Sequence, residues 1–261
     1  MRLLIVGFTA LVMTIILAPT VVIARLLGMK EGPRSIFTWA TRTWARSVLV
    51  SAGVKARIHN PERLSGEHGA VYISNHVSWF DVFILAAELP RYSFIAKSEL
   101  RKIPFFGFGA EAAGIVFLDR DNRKAAFESY KLAAKEVERG RSIVVYPEGT
   151  RGRDYHLRPF KKGPFVLAIA SQCPIIPTIV HGSREVMAKG SFRVRSGVID
   201  VHFLEPIETK GLEYDDRAEL MMRVFSRMAN AMRDLYGVGT DEYPIAEVGE
   251  RTDEPSRTPT T

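Results

Sequence analysis

Residues 71–81 read VYISNHVSWFD, a short apolar run followed by polar and ionisable side chains and then by a second apolar segment. The run Ala70–Ser74 is rich in Val, Ile and aromatic residues, which favours a buried β-strand. The segment Asp81–Leu89 that follows has the length and apolar content of a helix. A strand that turns almost at once into a helix is typical of an α/β protein.

The same alternation continues along the rest of the chain. Further strands are predicted at Tyr92–Ala96, Ile115–Leu118, Ser142–Tyr146, Ile175–Val180 and Val198–Phe203, and further helices at Asn122–Arg139, Pro164–Ser171 and Asp216–Tyr236. We therefore expect residues 53–237 to form a single α/β domain in which a mixed central sheet is flanked by helices.

Ionisable side chains follow four consecutive strands of this predicted sheet. His76 follows the first strand, Lys97 the second, Arg120 the third, and the segment PEGTR, residues 147–151, the fourth. In open α/β sheets, ligands bind outside the carboxyl ends of the strands. The four strand ends are therefore predicted to form one shared site.

His76 and Asp81 lie five residues apart across the first of these strand ends. If the helix begins just after His76, the carboxylate of Asp81 lies about one turn further on and can reach back to an imidazole nitrogen. It would fix the tautomer and leave the other nitrogen to take a proton from an attacking hydroxyl. The alternative is structural, with Asp81 as a cap and His76 as a satisfied polar residue, and an isolated pair at this spacing does not decide between the two.

The segment at residues 147–151 has the residue types of a phosphate site. Gly149 permits close approach of the backbone, Thr150 supplies a hydroxyl donor, and Arg151 can bind a phosphate through two parallel hydrogen bonds. The alternative is an ordinary strand-to-loop turn with a solvated Glu–Arg pair, in which case Lys97 and Arg120 would be surface charges.

The amino terminus carries an uncharged apolar segment at residues 3–24. As a helix it would be about 33 Å long, against a hydrocarbon core of roughly 30 Å, so we expect a membrane helix. A cleaved signal peptide and a buried core helix are the alternatives. Pro19 also leaves room for a re-entrant hairpin in place of a full span.

A basic, aromatic segment follows at about residues 34–51. It and its flank carry Arg25, Lys30, Arg34, Arg42 and Arg46, opposed only by Glu31, and this charge predicts a cytoplasmic location. Arginines alternate with Trp and Phe between Ile36 and Val50, which is typical of an amphipathic helix at a membrane interface. An ordinary amphipathic domain helix would show the same pattern. Residues 1–52 are thus predicted to form a membrane-anchoring segment.

The charge of the chain is unevenly distributed. Lys and Arg number 36 against 29 Asp and Glu, a net charge of +7. Residues 238–261 are acidic and are predicted to form a disordered tail. The excess of positive charge therefore lies around the apolar amino terminus and at the strand ends. That placement favours a phospholipid surface and a phosphorylated ligand over nucleic acid.

Other classes of site lack their residues in the sequence. The single Cys173 excludes an intramolecular disulfide and a thiolate metal cluster, and no G-x-S-x-G segment of a serine hydrolase occurs. The histidines other than His76 show no metal-ligand spacing, so we interpret them as ordinary surface or core residues: His59, His68, His156, His181 and His202.

The segments after the strands, taken together and in order, resemble the lysophosphatidic acid acyltransferases (1-acylglycerol-3-phosphate O-acyltransferases) of the glycerolipid acyltransferase superfamily. The resemblance covers residues 70–182. Four blocks carry it: residues 75–81, which resemble N-H-x-S-x-x-D; residues 97–100, 103–107 and 117–120; residues 147–151 with 160–163; and residues 173–177. Three residues depart from the usual pattern, in which Trp, Phe and Ser are frequent at the places of Phe108, Tyr146 and Gly152.

The resemblance implies a role for each matching residue. His76 would be the general base, and Asp81 would orient it. The phosphate of the acceptor would be held by Lys97, Arg120, Glu148, Gly149, Thr150 and Arg151. The acyl-donor or lipid pocket would be formed by Pro104, Gly107, Pro174, Ile175 and Pro177.

The resemblance also implies a reaction. The family transfers an acyl chain from acyl-CoA or acyl carrier protein to the sn-2 hydroxyl of 1-acylglycerol 3-phosphate, giving phosphatidic acid, without a metal or other cofactor. We therefore expect an enzyme at the cytoplasmic membrane that faces the cytoplasm, contacts membrane phospholipids and binds no nucleic acid. The alternatives are another acceptor (glycerol 3-phosphate, an ornithine-type lyso-lipid or another lysophospholipid) and a non-catalytic membrane scaffold.

Overall fold

A computed structural model describes residues 1–64, 69–103, 106–118 and 123–239 of the chain. In these ranges seven strands form one sheet: β1 (Val54–His59), β2 (Val71–Ser74), β3 (Tyr92–Lys97), β4 (Val116–Leu118), β5 (Ser142–Val145), β6 (Ile175–His181) and β7 (Gly197–Phe203). Helices precede the sheet and alternate with its strands: α1 (Arg2–Leu26), α2 (Ile36–Ala52), α3 (Phe80–Glu88), α4 (Phe106–Ala112), α5 (Arg123–Glu138), α6 (Gly163–Ser171), α7 (Ser183–Val186) and α8 (Arg217–Tyr236). The predicted α/β class is confirmed.

The strand order is β1-β7-β6-β2-β5-β3-β4. Neighbouring strands are parallel, except that β7 runs antiparallel to β6, so the sheet is mixed as predicted. The four strands expected to deliver the site, β2, β3, β4 and β5, lie side by side and point the same way. Their carboxyl ends therefore meet at one edge of the sheet.

Central strands of the sheet are buried on both faces, as their continuous apolar sequences require. Val71 and Ile73 of β2 pack into a core with α5, α6 and α8, whereas Tyr72 packs into a second core with α2 and α3. This alternation follows from the two-residue period of a strand. It leaves the end of β2 fixed by packing from both sides.

The sequence missed one strand and two short helices. Strand β1 has the sequence VKARIH, in which charged residues interrupt the apolar pattern, and it forms the sheet edge beside β7. Helix α4 is only seven residues long and α7 only four, too short for a helical period to be visible. The predicted acidic tail lies outside the described residues from residue 240 onward.

Helix α1 packs against the rest of the protein along one face. Its buried residues Val6, Leu17, Val21 and Ala24 contact α2 and neighbouring helices. Near its end, the Arg25 guanidinium donates a hydrogen bond of 2.8 Å to the carbonyl of Ala112 at the end of α4. The helix is therefore docked at its start and at its end.

The other face of α1 is apolar and exposed. Large side chains with at least half of their surface open to solvent include Leu4, Phe8, Leu11, Ile15, Ile16, Ile23 and Leu26. Among the described residues, α1 is the one helix long and apolar enough to cross a membrane, with a mean hydropathy of 2.3, and only 17% of its most apolar window is buried. Such exposure is unlike that of a core helix.

Candidate active site

The chain after β2 is fixed by the side chain of Asn75. Its amide nitrogen donates to the Val180 carbonyl at 2.9 Å, and its amide oxygen accepts from the Val180 N–H at 2.8 Å. These two bonds continue the pairing of β2 with β6 by one residue after β2 has ended. His76 is therefore held just beyond the carboxyl end of the strand.

His76 and Asp81 form a hydrogen-bonded pair. The Nδ1 atom of His76 lies 2.8 Å from Oδ2 of Asp81, which is fully buried in the first turn of α3. The same oxygen accepts hydrogen bonds from the backbone N–H groups of Val77 at 2.7 Å and Ser78 at 2.8 Å. The predicted contact between the two side chains is present, and their catalytic role stays a prediction.

This geometry assigns the tautomer of His76. Because the Asp81 carboxylate can only accept, Nδ1 is the nitrogen that carries the proton and Nε2 carries the lone pair. The His76 side chain keeps 13% of its surface exposed, and Nε2 has no hydrogen-bond partner among the residues the structure describes. The ring can therefore accept a proton from a hydroxyl that binds at this edge of the sheet.

The ring of Tyr146 stacks on the imidazole of His76, with centroids 3.9 Å apart and planes 17° from parallel. Burial, and to a lesser extent the charge of Asp81, raise the pKa of Tyr146 well above its ordinary value, so the phenol stays neutral. Its buried hydroxyl has no hydrogen-bond partner within the described part of the chain. Sequence reasoning missed this contact, although Tyr146 directly follows β5, the neighbour of the strand that leads to His76.

Two groups from the segment after β5 hold the backbone of His76. A carboxylate oxygen of Glu148 accepts from the His76 N–H at 3.0 Å, and the Gly152 N–H donates to the His76 carbonyl at 2.7 Å. The second oxygen of Glu148 accepts from Nε of Arg158 at 3.0 Å. Burial raises the pKa of Glu148, although its hydrogen bonds with His76 and Arg158 lower that pKa in part. The contacts favour a positioning role for Glu148, and Arg158 is a residue that the sequence did not suggest.

Arg151 brings a cation close to the pair. Its guanidinium lies over the ring of Trp79 at 4.8 Å, and Trp79 belongs to the same turn as His76. Partial burial lowers the pKa of Arg151, and the charge of Asp81 opposes that shift. The structure therefore brings Arg151 to the edge where Nε2 of His76 is open.

The other residues predicted to bind the phosphate lie at different distances along the sheet from His76, and one is outside the described residues. Gly149 has a φ of 76°, a left-handed backbone conformation that favours glycine, and a Cβ atom there would lie 2.7 Å from the flexible Lys161 side chain. Thr150 is exposed beside it. Lys97 ends β3, two strands from β2 along the same edge, and forms an ion pair with Glu99. Arg120 lies outside the described residues.

Three of the residues predicted to form the acyl pocket lie before the carboxyl end of β6, away from His76. Pro174 directly precedes β6 and Ile175 begins it, and both lie beside Val71 at the amino-terminal end of the strands. Pro177 is paired with Ile73 in the buried middle of the sheet. Gly107 packs in α4 against the backbone of the turn before it. Pro104 lies outside the described residues. The role of this group stays a prediction.

Comparisons with known proteins agree with one another. A family model described as Acyltransferase matches residues 55–181. A Limnanthes douglasii protein named 1-acyl-sn-glycerol-3-phosphate acyltransferase is 37% identical over 190 residues, covering 71% of this chain and 67% of the relative. A Cocos nucifera protein of the same name is 36% identical over 165 residues, covering 62% of this chain and 52% of the relative. The chain thus spans between about half and two thirds of the length of these relatives.

A solved structure has the same fold. It is the crystal structure of the 1-acyl-sn-glycerophosphate (LPA) acyltransferase, PlsC, from Thermotoga maritima, which superposes with a TM-score of 0.77 over 92% of this chain and 97% of that one. The identity is 21%, so the likeness concerns the architecture.

Proposed function

The chain belongs to the acyltransferase family, and we propose that it transfers an acyl chain from a thioester to the sn-2 hydroxyl of 1-acylglycerol 3-phosphate, giving phosphatidic acid. The observation that carries the proposal is the His76–Asp81 pair, whose open Nε2 lies at the strand edge that also presents Arg151. The names of the relatives support this acceptor, since they specify 1-acyl-sn-glycerol 3-phosphate.

Binding of the acceptor would begin with its phosphate. The Arg151 guanidinium can bind two phosphate oxygens at once, and Trp79 beneath it limits the directions it can take. Lys97 would add a second positive charge after exchanging Glu99 for the phosphate. The sn-2 hydroxyl, a few bonds from the phosphate, would then reach Nε2 of His76.

The chemical step is a direct transfer. Nε2 of His76 removes the hydroxyl proton while the oxygen forms a bond to the thioester carbonyl carbon. The carbon–sulfur bond then breaks, and the departing thiolate takes the proton back from the imidazolium. Asp81 stabilises the imidazolium between these two events, and general-base assistance of this kind contributes roughly 10²–10⁴-fold to the rate.

The thioester would be the only co-substrate of this reaction, supplied as acyl-CoA or acyl carrier protein. Attack of the hydroxyl oxygen on the thioester carbonyl carbon gives a tetrahedral intermediate, which collapses when the carbon–sulfur bond breaks. Neither step changes an oxidation state. Metal ions and redox cofactors therefore have no assigned part in the proposed reaction.

The proposal places the protein at the cytoplasmic membrane, with the sheet domain on the cytoplasmic side. The exposed apolar face of α1 supports contact with the hydrocarbon of the membrane. The Arg-bearing flank and exposed Trp39 of α2 support contact with phospholipid head groups. A lysolipid acceptor already resides at such a surface.

The acceptor is tested by supplying the purified full-length chain, in lipid vesicles, with an acyl-CoA and either 1-acylglycerol 3-phosphate or glycerol 3-phosphate. We expect phosphatidic acid from the first and little product from the second. Acylation of glycerol 3-phosphate but not of its monoacyl derivative would contradict the proposed acceptor.

The phosphate contact is tested by Arg151→Gln. We expect KM for the lysolipid to rise about tenfold or more, because a charge-assisted bidentate contact contributes more than about 1.4 kcal/mol. Arg153→Gln is the matched control, since Arg153 is an exposed arginine in the same segment. Equal KM values for the two variants would show that Arg151 does not bind the phosphate.

A further inference from the structure

The sheet brings together a second group of ionisable side chains, on strands that do not lead to His76. Strands β1 and β7 are parallel neighbours, and His59 lies directly opposite His202. Asp200 precedes His202 by two residues, so its side chain is on the same face of β7. The sequence did not reveal this group because His59 and Asp200 are 141 positions apart.

The three side chains offer their ligand atoms to a common point. One ring nitrogen of each histidine and a carboxylate oxygen of Asp200 lie within 4.8 Å of one another, the one such cluster in the described ranges of the chain. Nε2 of His59 is 2.8 Å from Oδ1 of Asp200. The two imidazole rings stack with centroids 4.0 Å apart and planes 6° from parallel.

His202 already has the second contact that metal-binding histidines usually make. Its Nε2 atom lies 2.6 Å from the hydroxyl of Tyr236, at the end of α8. A ligand histidine commonly uses one nitrogen for the metal and the other for such an orienting hydrogen bond. If this hydrogen bond is kept, Nδ1 of His202 is the nitrogen that would bind the metal.

The ligand types select the class of ion. Two imidazoles and one carboxylate suit Zn²⁺ and related transition metals, whereas Mg²⁺ and Ca²⁺ prefer oxygen ligands. Ligand atoms around tetrahedral Zn²⁺ are about 3.3 Å apart, so the cluster must contract and the His59 ring must turn out of the stack. Because 41% of the His59 side chain is exposed at the sheet edge, this rotation is open to it, and the ion can enter there.

The charges around the cluster permit a cation. Arg57 is the nearest positive group, 4.0 Å from Oδ1 of Asp200, but 64% of its side chain is exposed and can turn toward solvent. His181 of β6 lies opposite Asp200 and stacks on Tyr236. The cluster is two to three strands from β2, about 10–15 Å at the usual strand spacing, and shares no residue with the candidate active site.

We propose that His59, Asp200 and His202 form a binding site for one divalent transition metal ion of the Zn²⁺ class, with water in the fourth position. The ion would link the edge strand β1 to β7 and, through Tyr236, to α8. Its effect would be on the stability of this part of the sheet, because the ligands belong to two separate strands, β1 and β7, that the ion holds together.

Direct zinc binding tests the proposal. The full-length chain, purified without a histidine tag and stripped with a chelator, is dialysed against Zn²⁺ up to about 100 μM, and bound zinc is measured together with the thermal melting temperature. We expect one Zn²⁺ per chain with micromolar or tighter affinity, and a melting temperature several degrees higher with the metal. Co²⁺ should give the visible absorption of a tetrahedral complex.

Variants locate the site. His59→Ala should weaken zinc binding at least about tenfold and abolish the shift in melting temperature, and because His59 is partly exposed at a sheet edge, this variant should fold. His156→Ala is the matched control, since His156 also lies beside an aspartate, Asp154, at 3.4 Å, and no third ligand accompanies them in the part of the chain that the structure describes. Absence of bound zinc in the wild type, or unchanged binding by His59→Ala, would overturn the proposal.

Discussion

The ring of Tyr146 lies flat against the imidazole that is proposed to take up the substrate proton. A positive imidazolium is stabilised by the face of an aromatic ring, by roughly 0.5–2 kcal/mol depending on burial. The stacked ring also limits rotation of His76. Tyr146 is therefore expected to act as a positioning residue for the base.

The contribution of the ring can be separated from that of the hydroxyl. Tyr146→Phe should keep kcat close to that of the wild type, because it retains the ring and removes a buried hydroxyl without a described partner. Tyr146→Leu should lower kcat by about 2- to 30-fold with little change in KM. Steady-state kinetics of the two variants checks this, and equal kcat values for Phe and Leu would remove the ring from the account.

Arg158 neutralises the buried carboxylate that holds the His76 backbone. Arg158→Ala should lower the free energy of unfolding by about 1–3 kcal/mol at pH 7.5, because it leaves Glu148 buried without its cation. Burial already raises the pKa of Glu148, so the folded state binds its proton more tightly than the unfolded chain does. The loss should therefore shrink as the pH falls toward the pKa of this carboxyl.

Urea unfolding at pH 7.5 and at pH 5.0 measures this difference. Arg153→Ala serves as the control, because Arg153 is exposed. A loss that is the same at both pH values would show that the effect of Arg158 does not pass through the charge of Glu148.

Contacts of single residues were predictable where they are local in sequence. His76 and Asp81 are joined across one strand-to-helix turn, so their spacing sufficed. Tyr146 stacks on His76, and Glu148, the partner of Arg158, holds its backbone, only because β5 pairs with β2. No spacing in the sequence encodes that pairing.

Among the elements, helix α1 has one buried face and one exposed apolar face. One face packs on α2 and α4, while the other exposes a stripe of large apolar side chains: Leu4, Phe8, Leu11 and Ile15, spaced three or four residues apart. The sequence predicted the apolar helix but not which side faces the protein. That choice depends on long-range packing against helices that follow it.

The exposed stripe is expected to carry membrane binding. Replacing Phe8 and Leu11 together by Ser should weaken binding to anionic phospholipid vesicles by at least about tenfold, because each large side chain contributes roughly 1.5–3 kcal/mol when it leaves water. Co-sedimentation with vesicles measures this. Leu132→Ser is the control, an equally exposed leucine on α5, and equal binding by both variants would refute a membrane role for the stripe.

At the scale of the whole molecule, the order of the strands decides what the sequence motifs can do. Four motif-bearing segments follow β2, β3, β4 and β5, which the sequence identified one by one. These strands are neighbours in the order β2-β5-β3-β4, so their carboxyl ends lie together at one edge of the sheet. The same long-range pairing, this time of β1 with β7, assembled the His59–Asp200–His202 cluster, which the sequence could not reveal.

His76, oriented by Asp81, is proposed to be the base for acyl transfer. The most direct measurement is the rate of phosphatidic acid formation from 1-acylglycerol 3-phosphate and acyl-CoA by purified wild type, His76→Ala and His156→Ala, each with its fold checked by melting. We predict a loss of at least about 10²-fold for His76→Ala and no change for His156→Ala. A folded His76→Ala protein that forms product at the wild-type rate would contradict the account.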